Sequence, residues 1–319
     1  MIKKEFKLSL IKLAKFVVIF LIADLVLGTI SKQIFFNQKT GKYARSTYAI
    51  KDTDSKILIF GSSHAHRHYV PKVFEKELGK TCYNVGAEGQ QLLYHTAMLK
   101  MILKRTKPDL IILNIDENFL YKSKVAYDRL SDLHPYYSDY DEELGPILGL
   151  KSKLIDFKMF FKSYQTNSTV IHAIKYYLSP QIDYNGYRPL SGQVKSVVDE
   201  SEEILIKEYV EEIDENFVMG LKNFISTAKN KGISLLFVTS PTFSEVDHSN
   251  NISYNKIKEI AGKENIPFVN FFNATQFKYK HELFHDTSHL NNDGAQLFCK
   301  YLADEIKNRN LVESKKSEY

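Results

Sequence analysis

Short apolar runs alternate with amphipathic segments along most of the chain. Five runs have the length and composition of strands that are buried on both faces, at 56–60, 82–85, 109–113, 233–238 and 266–271. Helical periodicity follows at 70–78, 90–104, 217–229, 254–263 and 294–307. Continuous apolar strands alternating with helices are typical of a parallel sheet covered on both faces. The pattern therefore predicts an α/β fold, a three-layer α/β/α sandwich with a five-stranded parallel sheet.

The alternation stops between about residues 120 and 215. This stretch is rich in aromatic and charged residues and is predicted to be an insertion within the domain. Insertions of this size are usually lids or binding surfaces. A small core made from the insertion's own aromatic residues is the alternative.

An apolar run near the N-terminus predicts a membrane segment. From Leu8 to Ile30 a helix would be roughly 34 Å long, enough to cross a bilayer. Lysines precede the run, which is typical of a cytoplasmic flank, whereas Asp24 interrupts it at a cost of roughly 2.5–3.5 kcal/mol on insertion scales. We expect residues 1–31 to form a signal-anchor, with a cleaved signal peptide or an amphipathic helix packed on the protein as alternatives. A polar stalk at 32–55, the main domain at 56–308 and a polar tail at 309–319 would follow.

Composition narrows the class of protein. Of the 319 residues, 44% are hydrophobic and 25% are charged, which excludes a wholly disordered chain and a polytopic membrane protein. The net charge is +5, but the five lysines and one glutamate of residues 1–15 account for +4 of it. The remainder is almost neutral, so no nucleic-acid partner is expected. Cys82 and Cys299 are too few for a disulfide framework and suggest two buried thiols, with a single disulfide left open.

Residues that can perform acyl transfer stand at the ends of predicted strands and before the last helix. They are Ser63, Gly86, Asn118, Asp286 and His289. The carboxyl ends of parallel strands meet at one edge of a sheet, so these residues are expected to converge there. A serine hydroxyl becomes a strong nucleophile when a histidine takes its proton and an aspartate orients that histidine. The sequence therefore predicts a catalytic triad of Ser63, His289 and Asp286.

Three hydrogen-bond donors are candidates for stabilising the oxyanion. They are the backbone N–H groups of Ser63 and Gly86 and the side-chain amide of Asn118, with Asn114 as a nearby competitor. Such a donor is typically worth about 3–4 kcal/mol in the transition state. A glycine at position 86 would allow substrate to approach the backbone closely.

The same blocks resemble the SGNH (GDSL-like) hydrolase superfamily. Gly61-Ser62-Ser63 resembles its nucleophile block, Gly86 the glycine of its second block, and Asn118 its asparagine. Asp286 and His289 resemble the Asp-x-x-His pair of its last block. The resemblance spans about residues 56–118 and 233–305, and it implies a flavodoxin-like sandwich with esterase activity that needs no cofactor.

The chain departs from that family's pattern at two places. Ser62 replaces the usual aspartate before the nucleophile, and Asp116-Glu117-Asn118-Phe119 replaces Gly-x-Asn-Asp. A serine at this position resembles the membrane-anchored branches of the superfamily, which are similar to cell-surface polysaccharide O-acetyltransferases. This likeness implies a domain outside the cytoplasm of a bacterium, anchored in its cytoplasmic membrane by the N-terminal helix. The implied substrate is an acylated glycan or another ester of the envelope, and an integral membrane acyl-donor protein is an implied partner.

Other functions compete with the serine mechanism. His64, His66 and His68, together with His285 and His289, would suit a two-metal phosphoesterase, but no aspartate ends the first strand, so no metal is expected. His64, His66 and Arg67 would instead line the cleft mouth or lie in solvent, and His64 or Arg67 could contact an anionic substrate. A non-catalytic glycan-binding or assembly protein with the same fold is the second alternative. Hydrolysis and acyl transfer use the same residues, so the sequence does not separate them.

Overall fold

The computed structural model of the chain describes residues 2–195 and 210–312. They belong to two compact units. The helical unit comprises Met1–Ala44 and Leu130–Gln181, and the sheet unit comprises Arg45–Arg129 and Ile182–Tyr319. The predicted insertion is therefore divided between the units, and its residues 196–209 lie outside the described part of the chain, as do residues 313–319 of the predicted tail.

Helices make up most of the regular structure. In chain order, the described α-helices are α1 Ile2–Phe36, α2 Lys42–Lys51, α3 Ser63–His68, α4 Pro71–Leu78, α5 Leu92–Ile102, α6 Lys124–Arg129, α7 Asp141–Leu148, α8 Ile155–Phe160, α9 Asn167–Leu178, α10 Glu215–Lys229, α11 Ile252–Lys263 and α12 Asn292–Asn308. Segments Leu130–Asp139 and His281–Leu283 are 3-10 helices.

A five-stranded parallel sheet forms the centre of the sheet unit. The described strands are β1 Ile57–Phe60, β2 Cys82–Asn84, β3 Leu110–Asn114, β4 Tyr121–Lys122, β5 Val210–Ile213, β6 Ser234–Thr239 and β7 Phe268–Asn270. The parallel sheet has the order β2-β1-β3-β6-β7, while β4 and β5 form a separate antiparallel pair. This is the flavodoxin-like strand order, whose topological switch point lies between β1 and β3. The prediction of a five-stranded parallel α/β sheet is confirmed.

The strands are buried on both faces because helices cover both. On one face Ile57 and Ile59 belong to a core cluster with Tyr69, at the end of α3, and with Phe298 of α12. On the other face Phe60 packs edge-on against Phe224 of α10, with ring centroids 5.4 Å apart. Residues next to each other in a strand point to opposite faces, which explains why the runs are apolar throughout.

Both cysteines lie in the core of the sheet unit. Cys82 and Cys299 are free and buried, as the interpretation of two buried thiols expects. The Cys299 thiol donates to the carbonyl oxygen of His68, 3.2 Å away. Burial raises the pKa of Cys299, which favours an inert, protonated thiol.

The helical unit joins α1 to the insertion. Asp24, the acid that interrupts the apolar run of α1, is buried and accepts hydrogen bonds from the backbone N–H groups of Lys162 (2.8 Å) and Ser163 (3.1 Å). Gly28 allows this close approach, since a Cβ at that position would lie 2.4 Å from the backbone of Lys162. The insertion also buries apolar residues of its own, among them Leu133, Tyr136, Leu144, Ile147 and Met159. This part of the insertion therefore has a small core of its own, which was the alternative to a lid or binding surface.

The N-terminal segments differ from their predictions. None of the described helices has both the length and the apolar character that crossing a membrane requires. The prediction of a transmembrane helix at residues 1–31 is not supported by this finding. The predicted polar stalk at 32–55 is instead the end of α1 followed by α2, and it buries Phe35, Tyr43 and Ile50. The many polar residues of this segment predicted an exposed stalk, although the apolar residues between them are buried.

Candidate active site

A cavity of about 390 Å³ opens at the carboxyl ends of the parallel strands, in the sheet unit. The loops after β1, β2, β3 and β6 and the loop before α12 contribute to its wall. Among its lining residues are Ser63, His64, Gly89, Asp116, Asn118 and His289. The cavity thus lies where the strand order places a ligand site, beside the switch point between β1 and β3.

Ser63 reaches this cavity because the chain turns sharply after β1. Gly61 makes the turn with a φ of +140°, and a Cβ there would lie 2.9 Å from the side chains of Ala65 and Asn114. Only glycine tolerates this combination of backbone angle and crowding. Ser63 is the first residue of α3, so its N–H has no intrahelical acceptor.

His289 connects Ser63 to Asp286. Its Nε2 lies 3.0 Å from Ser63 Oγ, and its Nδ1 lies 3.1 Å from each carboxylate oxygen of Asp286. Asp286 Oδ1 also accepts the backbone N–H groups of Ser288 (2.8 Å) and His289 (2.7 Å), which fixes the turn between the two side chains. The structure therefore brings the three predicted triad residues into one continuous hydrogen-bonded chain.

The electrostatics of this chain set the direction of proton transfer. Burial opposes ionisation of Asp286, but the hydrogen bond and charge of His289 and the two N–H donors outweigh it and lower the pKa of Asp286 to about 2. The carboxylate is consequently ionised at neutral pH and accepts the proton on His289 Nδ1. A proton on Nδ1 leaves Nε2 as the nitrogen that faces the Ser63 hydroxyl and can accept its proton.

Gly86 does not occupy the predicted oxyanion position. Its N–H donates to Asn84 Oδ1 (2.9 Å), and a Cβ there would lie 2.5 Å from the backbone nitrogen of His66. Gly86 is thus needed for the packing of α3 against the loop after β2. Gly89, three residues later, lines the cavity with a φ of +69°. It is the glycine that the structure places beside Ser63 in the cavity wall.

The two asparagines have different surroundings. Asn118 is half-buried and lines the cavity, as predicted. Asn114 is fully buried, where its Oδ1 accepts the hydroxyls of Tyr69 and Ser240 at 2.8 Å each and its Nδ2 donates to Asp116. Asn114 is therefore committed to the interior, and Asn118 is the asparagine available to a ligand.

Asp116 and Ser62, the two departures from the family pattern, contact each other. Ser62 Oγ donates to Asp116 Oδ2, and Asp116 Oδ1 lies 2.6 Å from His64 Nδ1. The carboxylate that the resemblance expects at position 62 is supplied from the end of β3 instead. His64 Nε2 is also bonded, 3.1 Å from the carbonyl oxygen of Ser288. His64 thereby links the end of β3 to the turn that holds Asp286 and His289.

His64 should carry a proton on each ring nitrogen, because a carboxylate and a carbonyl oxygen can only accept. Burial disfavours the charged ring, but the charge and hydrogen bond of Asp116 and the Ser288 carbonyl raise the pKa of His64 above its ordinary value. At pH 6.5, about the ordinary histidine pKa, we expect more than half of His64 to be doubly protonated. The fraction falls as pH rises through the raised pKa, which ring ¹⁵N chemical shifts measure directly.

Asp116→Asn is the matched comparison for this measurement. It removes the negative charge while retaining an oxygen acceptor, so the pKa of His64 should fall relative to the unaltered protein. A His64 pKa that is at or below the ordinary value, or that does not change in Asp116→Asn, contradicts the assigned charge.

The other histidines of α3 face the interior. Burial lowers the pKa of His66 to about 4 and lowers that of His68 well below the ordinary value. His68 Nε2 accepts the N–H of Leu290 (3.0 Å), so it supports the residue next to His289. Within residues 2–195 and 210–312, no three His, Cys, Asp or Glu side chains are grouped in a way that would hold a metal ion. Arg67 pairs with Glu88 rather than reaching the cavity wall.

The sequence reasoning missed Gly89 and the roles of Asp116 and His68. Gly89 has a weak signal, as the second glycine in Gly86-Ala87-Glu88-Gly89. Asp116 had a stronger one, since an acid replaces glycine in one block while serine replaces an acid in another. Both blocks are expected at the same sheet edge, so the two departures together suggest that the acid of one block is replaced by an acid from the other. Nothing in the sequence distinguishes His68 from its neighbours.

Comparison with known proteins adds distant structural likenesses. No protein-family profile and no curated protein matches the chain. Among solved structures, it is similar to the acetyl xylan esterase AlAXEase, with 13% identity, a TM-score of 0.38 and coverage of 79% of this chain and 98% of that one. It is also similar to a structure assigned to a lipolytic protein of the G-D-S-L family from Desulfitobacterium hafniense, with 13% identity, a TM-score of 0.37 and coverage of 78% and 98%.

Proposed function

We propose that this chain is a serine-dependent enzyme of the SGNH (GDSL-like) type that cleaves or transfers O-acyl groups. The observation that supports this most directly is the hydrogen-bonded chain from Ser63 through His289 to Asp286 at the wall of an open cavity. A serine, a histidine and an ionised aspartate in this order are the components of nucleophilic acyl transfer.

The reaction would proceed through an acyl-enzyme. Ser63 Oγ bonds to the carbonyl carbon of the ester as its proton moves to His289 Nε2, and the carbonyl electron pair moves onto the oxygen. Collapse of this intermediate breaks the bond to the leaving alcohol, which takes the proton from His289. Water or an acceptor hydroxyl then repeats the steps in reverse order, which releases an acid or a new ester and restores Ser63.

The oxyanion would be held by three donors beside Ser63. They are the N–H groups of Ser63 and Gly89 and the side-chain amide of Asn118, because all three residues line the same cavity. Gly89 replaces Gly86 in this assignment, since the Gly86 N–H is already bonded to Asn84. Fixed donors aimed at a developing charge stabilise the transition state more than the ground state.

Asn118→Ala is expected to lower kcat by about 10²–10³-fold with little change in KM, because it removes one such donor. Hydrolysis of p-nitrophenyl acetate by the purified variant measures both constants. Asn223→Ala, at an exposed position of α10 outside the cavity wall, is the control for loss of an asparagine side chain. A kcat for Asn118→Ala that equals that of the control removes Asn118 from the oxyanion site.

The substrate of this proposal is an acylated glycan of the cell envelope. The cavity suits a sugar because hydroxyl and carboxylate side chains line it together with the phenyl ring of Phe272. His248 stacks on Phe272 with ring centroids 4.2 Å apart and so fixes the orientation of that ring. Placement outside the cytoplasm at a membrane, and an integral membrane acyl donor, belong to the same proposal and rest on the resemblance in the sequence.

Covalent labelling tests the proposed activity. A fluorophosphonate should phosphonylate the native chain on Ser63, as identified by mass spectrometry of the labelled peptide. Ser244→Ala, which removes another serine of the cavity wall, should be labelled to the same extent. An unlabelled native chain would favour the non-catalytic glycan-binding alternative. Turnover of p-nitrophenyl acetate with and without an added saccharide acceptor then separates hydrolysis from transfer.

A further inference from the structure

The helical unit exposes an apolar surface on the insertion. Helix α8 presents Phe157 and Phe160, each 65% exposed, and Leu154 immediately precedes it at 64%. Helix α9 exposes Ile171, Ile174 and Leu178. Soluble domains rarely expose so many large apolar side chains within about thirty residues, and such a concentration of exposed apolar side chains is typical of a binding site. We call residues 150–178 the apolar hairpin.

Helix α1 lies against the apolar hairpin. Phe20 packs edge-on against Phe161, with ring centroids 5.7 Å apart, and the Tyr177 hydroxyl donates to the carbonyl oxygen of Ile34 (2.8 Å). Asp24 and Gly28 face the hairpin backbone and are the only buried residues of α1 between residues 4 and 30. The single acid of the apolar run thus has its hydrogen-bond partners within the unit, and the apolar side chains around it remain exposed.

Basic residues accompany these apolar side chains. Residues 1–15 and the apolar hairpin together contain ten lysines and two acidic residues. The other 275 residues contain 33 basic and 36 acidic residues, so the positive net charge of the chain is concentrated in these two segments. Exposed large apolar side chains interleaved with lysines are typical of surfaces that enter the headgroup region of an anionic bilayer. A protein interface would instead deplete lysine.

We propose that the apolar hairpin enters an anionic membrane surface, together with the exposed apolar side chains of α1 beside it. Phe157, Phe160 and Leu154 enter the headgroup and acyl boundary, while Lys151, Lys153 and Lys158 contact lipid phosphates. The hydrogen bonds from Lys162 and Ser163 to Asp24 hold the hairpin at a fixed position along α1. This inference is independent of the chemistry proposed for Ser63.

Tryptophan fluorescence tests it, because the chain contains no tryptophan. Phe157→Trp and Phe160→Trp each introduce a single reporter at an exposed aromatic position, and Met219→Trp on α10 is the matched control at 55% exposure in the sheet unit. The full chain is transferred from detergent to vesicles of phosphatidylcholine and phosphatidylglycerol, with or without brominated phosphatidylcholine. We expect emission at 157 and 160 to shift to shorter wavelength and to be quenched by the brominated lipid, while emission at 219 does neither.

Two results would overturn the proposal. Quenching at 157 and 160 that is no greater than at 219 would show that the hairpin does not contact lipid, even if α1 binds the vesicles. A wavelength shift that appears without vesicles and grows with protein concentration would show that a second copy covers the surface. The use of two reporter positions guards against local misfolding at either one.

Discussion

Ser63→Ala is expected to lower kcat/KM for p-nitrophenyl acetate by about 10⁵–10⁶-fold, which is the scale seen when a triad nucleophile is removed. The reason is chemical, since alanine has no oxygen with which to form the acyl-enzyme. His289 Nε2 would lose its 3.0 Å partner, but Asp286 would still orient the ring. Residual turnover would come only from the oxyanion donors and from substrate binding. Initial rates measured over a range of substrate concentrations give the change in kcat/KM.

This variant separates the serine mechanism from its rivals. Circular dichroism and thermal unfolding should match those of the unaltered protein, because Ser63 is half-buried and its hydroxyl bonds only to His289 among the residues that the structure describes. Activity of the unaltered protein should survive EDTA. Turnover that persists in Ser63→Ala, or that EDTA abolishes and zinc or manganese restores, would contradict the proposed mechanism.

The sheet was predictable because its strands are buried on both faces. Each of the five apolar runs overlaps a parallel strand, to within one residue at its carboxyl end for β3 and β6, and strands of this kind leave a continuous signal that does not depend on long-range partners. The pair β4 and β5 was not predicted, because Tyr121–Lys122 is only two residues long and Val210–Ile213 is largely exposed. Such strands are defined by their pairing, which the local sequence does not encode.

The site was predictable where chemistry demands a residue type. Ser63, Asp286 and His289 are required by the reaction, and topology alone brings them to one edge. Gly86 and Gly89 could not be distinguished in this way, since they are the same residue type and both lie in the loop after β2. The two glycines differ because the side chain of Asn84, two residues before Gly86, accepts the hydrogen bond of the Gly86 N–H. The pairing of Ser62 with Asp116, 54 residues apart, likewise requires the register of β1 with β3.

Asp286→Asn is expected to lower kcat by about 10⁴-fold, the scale reported for loss of the orienting carboxylate in a triad. In the unaltered protein both carboxylate oxygens accept from the His289 Nδ1–H, and the pKa of about 2 keeps them ionised at neutral pH. An asparagine would present an N–H₂ donor to the same ring nitrogen. His289 would then hold its proton on Nε2, the nitrogen that must accept the proton of Ser63. Single-turnover rates with p-nitrophenyl acetate isolate this chemical step.

The pH dependence distinguishes this effect from general damage to the turn. Because the folded-state pKa of Asp286 is depressed below its ordinary value of 3.8, its ionisation stabilises the fold above that pH, and the contribution is lost as pH falls toward 2. Asp286→Asn should therefore weaken the acid-induced loss of stability in that range. Asp293→Asn, at an exposed acid in the first turn of α12, should leave kcat unchanged. Equal losses of kcat in both variants would show that the turn before α12, rather than the orientation of His289, limits activity.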